Sequence, residues 1–211
     1  MSIREKLSQH RTYLHENVNP EPVFIKQVCS FTLPIYRFNI KNEIDIDQSI
    51  LAIKKIREQY PDNHTTNVHA QIGWRSMDGI EKLTTEFDPI TDIMQQKVKL
   101  IEKTINNGTY FDTSILEAWA IIYKQSDFTN WHHHYPQLPR GGISWTCTLY
   151  LTDSTCPIVF KQDKLENLKI IPTVGTLCIF SPLAMHMVPK SDDDGERIVL
   201  AANIGSKGLN V

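Results

Sequence analysis

Three consecutive histidines, His132, His133 and His134, are the residues of this chain whose types and spacing most directly suggest chemistry. A further histidine, His186, lies far downstream in an apolar context, and Arg197 opens the next apolar run. Neutral imidazole binds iron, copper, nickel and zinc. A planar guanidinium can hold a carboxylate through two parallel hydrogen bonds. These residues predict one iron site and, near it, one arginine that binds a carboxylate.

The spacing of the histidines indicates which of them share the metal. Side chains at positions i and i+2 of a strand point to the same face, so His132 and His134 can bind one ion while His133 points away. His186, from a distant strand, would complete one face of the coordination sphere. Non-haem iron sites for oxygen chemistry have this open geometry, normally with two histidines and one carboxylate. A metal would also partner the imidazole of His186, whose burial in an apolar strand is otherwise costly.

The apolar pattern from residue 115 onward predicts the scaffold that positions these residues. It changes there from a helical period to alternation, and the runs are separated by Gly, Pro and Asp turns. Strands are predicted near residues 115–124, 131–135, 143–152, 157–161, 167–172, 176–181, 184–188 and 196–204. Eight short strands are the count of a double-stranded β-helix, the jelly-roll or cupin-like architecture. The protein is therefore predicted to be mainly β.

Two amphipathic helices are predicted in the first half of the chain. Residues 46–60 carry isoleucines at helical spacing and end before Pro61. A second helix is predicted from Asp88, as N-cap, to the stop signal Asn106-Asn107-Gly108. We expect both helices to pack on the outer face of the β-helix. The chain is then one domain, in which residues 1–114 support the core formed by residues 115–204.

The remaining N-terminal segments carry weaker signals. Residues 1–18 favour a short helix, and residues 19–22 a turn or linker. Residues 31–38 alternate like a strand with an irregularity at Pro34. Residues 61–88 are polar and irregular, and could form a flap over the site. The isolated histidines in these segments are expected to be surface residues: His10, His15, His64 and His69.

Composition limits the class of protein. The chain has 211 residues, enough for a substantial core, and its net charge of −2 gives no reason to expect binding to nucleic acid or a membrane. No apolar run approaches the ~20 residues that cross a bilayer. The charged N-terminus lacks a secretory apolar core. The four cysteines show no C-x-x-C spacing, which favours buried thiols. We expect a cytoplasmic protein.

The histidine segment resembles the 2-oxoglutarate/Fe(II)-dependent oxygenases. It is most similar to the prolyl-4-hydroxylase-like branch and to small oxygenase-like proteins of phages and marine bacteria. That family carries an H-x-D/E motif, then a distant histidine, which match His132, His134 and His186. The resemblance implies that these three residues bind Fe(II) and form the catalytic centre. It is strong over residues 115–204 and weaker over residues 66–76.

The resemblance also implies where the cosubstrate 2-oxoglutarate binds. The family has a basic residue after the distant histidine, which matches Arg197 and would bind the far carboxylate of 2-oxoglutarate. Tyr123 matches a family tyrosine that precedes the first ligand, and Tyr150 matches the tyrosine of a strand that ends in a "YYL" pattern. Either tyrosine would add a hydrogen bond. Taken alone, tyrosines in such positions are more often core aromatics, and an arginine such as Arg197 is more often a surface salt-bridge residue.

The implied reaction is the hydroxylation of a C–H bond in a peptidyl side chain, prolyl included, or in a small molecule. Fe(II), 2-oxoglutarate and O2 would be required, with ascorbate as a further candidate, and succinate and CO2 would be released. A phage-encoded protein would work in the cytoplasm of its host. One residue departs from the family: His134 stands where the usual ligand is a carboxylate, so the metal centre would keep a charge of +2 in place of +1. Such H-x-H variants are similar to the phage-like group.

Two alternatives stay open from the sequence. A cupin-like dioxygenase with three histidine ligands would not use 2-oxoglutarate, and it would have no need of Arg197. A virion or assembly protein could keep the fold without any activity.

Two other sequence features have ordinary explanations. Trp131 is predicted to pack or to form a wall of the substrate cleft. Residues 192–195, Asp-Asp-Asp-Gly, are predicted to form a solvated hairpin turn and not a calcium loop.

Overall fold

Two antiparallel sheets build the protein, one of seven strands and one of five. The computed structural model describes residues 20–28, 31–64, 70–134, 142–162 and 166–210. The strands are β1 (Pro20–Val28), β2 (Phe31–Asn39), β3 (Ala70–Gln71), β4 (Trp74–Arg75), β5 (Tyr110–Tyr123), β6 (Phe128–His132), β7 (Ile143–Tyr150), β8 (Ile158–Phe160), β9 (Leu168–Ile170), β10 (Thr176–Phe180), β11 (His186–Val188) and β12 (Arg197–Asn210). The major sheet has the order β1-β2-β10-β7-β12-β5-β4, and the minor sheet β3-β6-β11-β8-β9. The predicted mainly-β jelly roll is confirmed.

Alternation along the central strands of the major sheet separates a helix-facing side from a cavity-facing side. In β5, Ala118, Ala120 and Ile122 belong to the core cluster under the helices, whereas Trp119 and Tyr123 line a cavity between the sheets. The same period of two holds in β7 and β12. The smaller core cluster fills the rest of the space between the sheets. The three central strands therefore place every second side chain where a ligand could bind.

The two helices, α1 (Ile46–Gln59) and α2 (Asp88–Ile105), pack on the outer face of the major sheet, as predicted. Their buried apolar residues recur at helical spacing: Ala52, Ile53, Ile56, Ile90, Met94, Val98 and Ile101. The Asp45 side chain caps α1 by accepting from Gln48 N. Phe87, and not Asp88, takes the N-cap position of α2, and Gly108 closes its C-terminal end with φ of 97°. Neither helix in the described ranges is long and apolar enough to cross a bilayer.

One prediction for the N-terminal half is wrong. The segment predicted as a linker at residues 19–22 leads into β1, which begins at Pro20 and contains Pro22. Because β1 is an edge strand, paired only with β2, its missing N–H groups are tolerated. Residues 61–88, which the sequence suggested to be irregular, contain two short strands, β3 and β4, and two 3-10 turns, Ile80–Lys82 and Thr85–Phe87. That this segment could form a flap stays a prediction. The helix predicted for residues 1–18, with its two histidines, and His69 lie outside the described residues.

Candidate active site

A cavity of about 520 Å³ lies between the two sheets. All candidate residues that the sequence pointed to line it: Tyr123, His132, His134, Tyr150, His186 and Arg197. They come from both sheets, so the cavity could not exist in either sheet alone. The structure therefore brings together the complete set of predicted site residues.

Three imidazoles meet in the lining of this cavity, and we refer to His132, His134 and His186 as the histidine triad. One ring nitrogen from each residue lies within 4.8 Å of the other two. The rings of His132 and His186 have centroids 4.2 Å apart, and those of His134 and His186 are stacked at 5.3 Å. Backbone pairing supports this meeting, because His186 of β11 is the register partner of His132 in β6. The arrangement could hold a metal ion.

Hydrogen bonds to the backbone fix two of these rings. Nδ1 of His132 lies 2.9 Å from Asn130 O, and Nδ1 of His186 lies 2.8 Å from Ala184 O. A carbonyl oxygen can only accept, so in both rings Nδ1 carries the proton and Nε2 is left as the free lone pair. This is the usual way in which a protein orients a metal-binding imidazole. The chemistry of the donor set therefore fits a transition metal.

Burial keeps the histidine triad uncharged. Burial lowers the pKa of His132 and the pKa of His186. Repulsion from the neighbouring imidazoles lowers both pKa values further. For His134, burial lowers the pKa to about 3, with repulsion from His132, His133 and Arg75 adding to the effect. Neutral imidazole is the form that binds a metal. The site is therefore ready for a metal ion without first losing a proton.

The way in which His134 reaches the triad differs from the prediction. Strand β6 ends at His132, so His133 and His134 are not paired residues of a regular strand. His134 N instead donates to Pro182 O over 2.9 Å, and its ring stacks on Trp119 at 5.7 Å. His133 is exposed, as predicted, although it also lines the cavity. Convergence of His132 and His134 is thus produced by tertiary contacts and not by strand alternation.

A β-bulge in β6 adjusts the direction of its side chains. His186 and Val188 of β11 pair with His132 and Thr129 of β6, so β6 has one residue more over this stretch. A bulge places side chains on one face that regular alternation would separate. As a result, Thr129 and His132, three positions apart, both line the cavity. Trp131, within the bulged stretch, is 39% exposed, so it forms part of the cavity wall and is not packed in the core.

Arg197 is buried at one end of the cavity, with 4% of its surface exposed. Its Nη1 donates to Cys156 O over 2.8 Å, and its guanidinium carbon lies 5.4 Å and 5.1 Å from the ring centres of Tyr123 and Tyr150. Among the described residues, no carboxylate forms an ion pair with it, and its Nε has no hydrogen-bond partner. A buried guanidinium with an unused donor is suited to an anion that enters the cavity.

The two tyrosines next to Arg197 are not equivalent. The hydroxyl of Tyr123 pairs with the Thr129 hydroxyl at 2.9 Å. The hydroxyl of Tyr150 is fully buried and has no hydrogen-bond partner in the described part of the chain. Burial raises the pKa of both tyrosines, against the opposing charge of Arg197, so both remain protonated donors. Tyr150 is therefore the tyrosine whose donor is available to a ligand.

Asp193, in the segment predicted as a solvated turn, has a structural role. Its carboxylate accepts from Ser154 Oγ over 2.6 Å, from Thr155 N over 3.0 Å and from the Thr155 hydroxyl. These bonds lower the pKa of Asp193 to about 2. They hold the loop whose next residue, Cys156, offers its carbonyl to Arg197. The sequence contains no signal for this link, because the partners lie far apart along the chain.

The opposite end of the cavity carries polar residues that sequence reasoning missed. Asn203 of β12 lies between Glu117 of β5 and Thr146 of β7 in the sheet register. Asn203 Nδ2 donates to Glu117 Oε1 over 2.6 Å, and the Thr146 hydroxyl donates to Asn203 Oδ1 over 3.0 Å. Period-two alternation in β5 could have placed Glu117 on the face of Tyr123. Its partners follow only from the register.

Arg75 and Asp78 form the adjoining wall. Their side chains are 2.5 Å apart, and the Arg75 guanidinium lies 5.0 Å from the ring centre of Trp119. Both residues come from the segment that was expected to be a flap. Because β4 pairs with β5 and β3 with β6, this segment connects the edges of the two sheets. His64, from the same segment, is exposed, as predicted.

Comparison with known proteins agrees with this geometry. No family model matches the sequence, and no curated protein matches it. Among solved structures, the chain is similar to a Pseudomonas putida prolyl-4-hydroxylase, with a TM-score of 0.60, 15% identity and coverage of 82% of this chain and 93% of that one. The chain is also similar to a Trichoplax adhaerens prolyl hydroxylase in complex with a hypoxia inducible factor peptide fragment. That comparison has a TM-score of 0.63 and 12% identity, and it covers 96% of this chain and 90% of that one.

A viral collagen prolyl hydroxylase from Paramecium bursaria Chlorella virus-1, in complex with 2-oxoglutarate, gives a TM-score of 0.58 and 13% identity over 82% of this chain and 96% of that one. At these identities the similarity establishes the fold. The chain has the double-stranded β-helix found in 2-oxoglutarate/Fe(II) oxygenases, prolyl hydroxylases among them. The resemblance noted from the sequence is thus confirmed at the level of the fold.

Proposed function

We propose that the protein is a non-haem dioxygenase that uses Fe(II) and 2-oxoglutarate to hydroxylate a C–H bond of its substrate, with succinate and CO2 as the other products. A peptidyl substrate, prolyl included, is the first candidate, since one of the structurally similar hydroxylases is in complex with a peptide fragment. A small molecule is the second. The proposal assigns metal binding to the histidine triad and cosubstrate binding to Arg197 and Tyr150.

The observation that carries this proposal is a pair of unsatisfied buried donors. Among the described residues, the buried side-chain polar atoms without a hydrogen-bond partner are Tyr150 Oη and Arg197 Nε. Both belong to residues at one end of the cavity that contains the histidine triad. A buried polar group is rarely left without a partner unless a ligand supplies one. The free carboxylate of 2-oxoglutarate offers acceptors of the required charge.

The residues of the chain have separable tasks in this reaction. Fe(II), when bound, supplies the site at which 2-oxoglutarate and O2 react. The triad would hold the ion through three neutral imidazole nitrogens. Arg197 neutralises the far carboxylate of the cosubstrate, and Tyr150 donates a hydrogen bond to it. Apolar neighbours such as Ile158 and Val199 line the same cavity and restrict water around the reacting groups.

The unpaired guanidinium argues against the alternative of a cupin-like dioxygenase that works without 2-oxoglutarate. Such an enzyme would leave Arg197 buried without a counter-charge, which is costly. A non-enzymatic protein with this fold would have no reason to keep the triad in the neutral, oriented state described above. Metal content of protein purified without added metal separates that last possibility from both enzymes.

Removal of the guanidinium tests the proposal. Arg197→Ala should weaken 2-oxoglutarate binding about tenfold to a hundredfold, because a charge-assisted pair contributes roughly 1.5–3 kcal/mol. Arg197→Lys should restore only part of this affinity, since lysine cannot form two parallel bonds. Calorimetric titration of the metal-loaded variants with 2-oxoglutarate measures the effect, and metal stoichiometry should stay unchanged. Unaltered cosubstrate affinity in Arg197→Ala would refute the proposed role.

A further inference from the structure

We propose that Glu117 is a specificity-determining residue that binds an ammonium or guanidinium group of the substrate. It would do so at the end of the cavity opposite to Arg197. The proposal rests on the function proposed above, because it assumes that Arg197 holds the cosubstrate. It goes further by assigning a positive charge to the substrate.

Glu117 is held in place by a row of polar side chains across three strands. Thr146 donates to Asn203, and Asn203 donates to Glu117 Oε1, at 3.0 Å and 2.6 Å. Thr146 and Asn203 are buried, whereas Glu117 is half-buried in the cavity wall. Its second oxygen, Oε2, makes no hydrogen bond to the described residues. The row therefore orients a carboxylate that keeps one oxygen available, which is the preorganisation that a binding site requires.

The charges around Glu117 leave it without a counter-ion. The other carboxylate of the cavity wall, Asp78, pairs with Arg75 at 2.5 Å. Nη1 of Arg75 is further occupied by the carbonyl oxygens of His64 and Ser76. Glu117 forms no ion pair with any described residue. Glu117 is therefore a carboxylate of the cavity wall that has no cationic partner among the described residues, and a cationic group of the substrate would supply one.

The position of Glu117 excludes a contact with the cosubstrate. Tyr123, at one end of the cavity-facing row of β5, pairs in register with Arg197. Trp119 lies between, with its ring stacked on His134. Glu117 lies two positions beyond Trp119 on the same strand. At the usual rise per residue, it is about 20 Å along β5 from Tyr123. A 2-oxoglutarate molecule bound to Arg197 is too short to reach it, so Glu117 faces the space that remains for the substrate.

An accessible aromatic ring lies in the wall of the same cavity. Trp131 lines the cavity together with Glu117, and 39% of its surface is exposed. The face of an indole attracts a cation. The cavity therefore offers a carboxylate and an aromatic surface, a combination that favours cationic ligands over neutral ones of the same shape.

The test compares two probes of similar shape, N-acetyl-lysine methylamide and N-acetyl-norleucine methylamide. Their dissociation constants for the metal-free full chain are measured by ligand-observed NMR, so the result does not depend on iron or 2-oxoglutarate. We expect the lysine compound to bind about tenfold or more tightly. Glu117→Gln should abolish this preference, because glutamine can still accept from Asn203 but carries no charge.

Asp78→Asn is the matched control, since it removes the other carboxylate of the cavity wall and should leave the preference in place. A thermal unfolding midpoint close to that of the wild type shows that Glu117→Gln is folded. The proposal is overturned if the wild type does not prefer the lysine compound, whether both compounds bind equally or neither binds. It is also overturned if Glu117→Gln keeps the preference. Failure of the proposed dioxygenase function would instead show as absent binding of iron or 2-oxoglutarate, with the lysine preference unchanged.

Discussion

At the scale of single residues, the unsatisfied donors of Tyr150 and Arg197 say most about this protein. A buried donor without a partner costs about 1–3 kcal/mol. Two such donors beside the same cavity are therefore a cost to the stability of the unliganded protein. Functional sites commonly contain groups that are unfavourable until a ligand binds. The cost is understandable if a ligand regularly supplies the acceptors.

Tyr150→Phe should act in opposite directions on stability and on binding. It removes the unsatisfied hydroxyl, so the free energy of unfolding of the unliganded protein should be unchanged or should rise by up to about 1 kcal/mol. Affinity for 2-oxoglutarate should fall about tenfold, since a hydrogen bond to a charged group is lost. Urea denaturation and calorimetric titration measure the two effects. A variant that loses stability and keeps its affinity would show that the hydroxyl has a structural role.

The neutral state of buried His186 predicts a pH dependence of stability. Because burial lowers its pKa in the folded protein, the unfolded chain binds the proton more readily. The contribution of neutral His186 to the free energy of unfolding is complete above about pH 6.5. It decreases as the pH falls, by at most about 1.4 kcal/mol per pH unit. His186→Phe removes this loss, and Phe160 and Phe180 already surround the position.

Urea denaturation of the metal-free protein at about pH 7.5 and about pH 5.5 tests this prediction. The wild type should lose more stability between the two values than His186→Phe does. His64→Asn, a change at an exposed histidine, is the control and should behave like the wild type. Identical pH dependence in the wild type and in His186→Phe would mean that His186 is not held neutral by burial.

The sequence predicts the residues of the candidate site better than their surroundings. His132, His186 and Arg197 could be identified because their types and order suffice to suggest the chemistry. The contact between Glu117 and Asn203 could not be predicted, because it depends on the register of β5 and β12. The alternation of side chains does not determine this register, since a shift by two residues keeps every side chain on the same face.

At the scale of elements, short and long strands together position the candidate site. His132 and His186 come from β6 and β11, of five and three residues, whereas Tyr123 and Arg197 come from β5 and β12, of fourteen residues each. Long strands give a readable alternation, so the ends of β5 and β12 near Tyr123 and Arg197 are predicted within one residue, whereas β5 begins five residues before the predicted 115 and β12 ends six residues after the predicted 204. Strands β3 and β4 have two residues each, too few for any period, and the segment containing them was predicted to be irregular. Their pairing with the sheets is a tertiary effect that sequence does not display.

A buried carboxylate holds the segment between β3 and β4, together with Asn63, whose Nδ2 donates to Ile72 O over 2.7 Å. Asp127 accepts from Gly73 N over 2.6 Å and from Lys124 N over 2.7 Å, and it is buried. Asp127→Ala should lower the free energy of unfolding by about 1–3 kcal/mol, because two backbone donors lose their acceptor. Asp127→Asn should lose less, because both backbone donors bond to one oxygen of Asp127 and the amide oxygen of asparagine can accept from both without the charge. Urea denaturation of the three proteins gives the order; equal stability of Asp127→Ala and the wild type would show that the carboxylate does not hold this segment.

At the scale of the whole molecule, the cavity between the sheets has two ends of opposite charge, separated by the neutral histidine triad. Arg197 marks one end and Glu117 the other. The rigid central strands β5, β7 and β12 contribute to both ends, which fixes the distance between them. A cosubstrate at one end and a substrate at the other would both reach the metal.

Anaerobic titration of the metal-free protein with Fe(II) and then with 2-oxoglutarate tests the central claim most directly, because it reports on the triad and on Arg197 together. We predict one iron and one 2-oxoglutarate bound per chain, with a weak visible charge-transfer band that needs both. His134→Ala should lose iron affinity, whereas His134→Asp should keep the band at a shifted position. Absence of the band in the wild type at saturating concentrations of both ligands, or unchanged iron binding in His134→Ala, would contradict a 2-oxoglutarate-dependent iron centre built on three histidines.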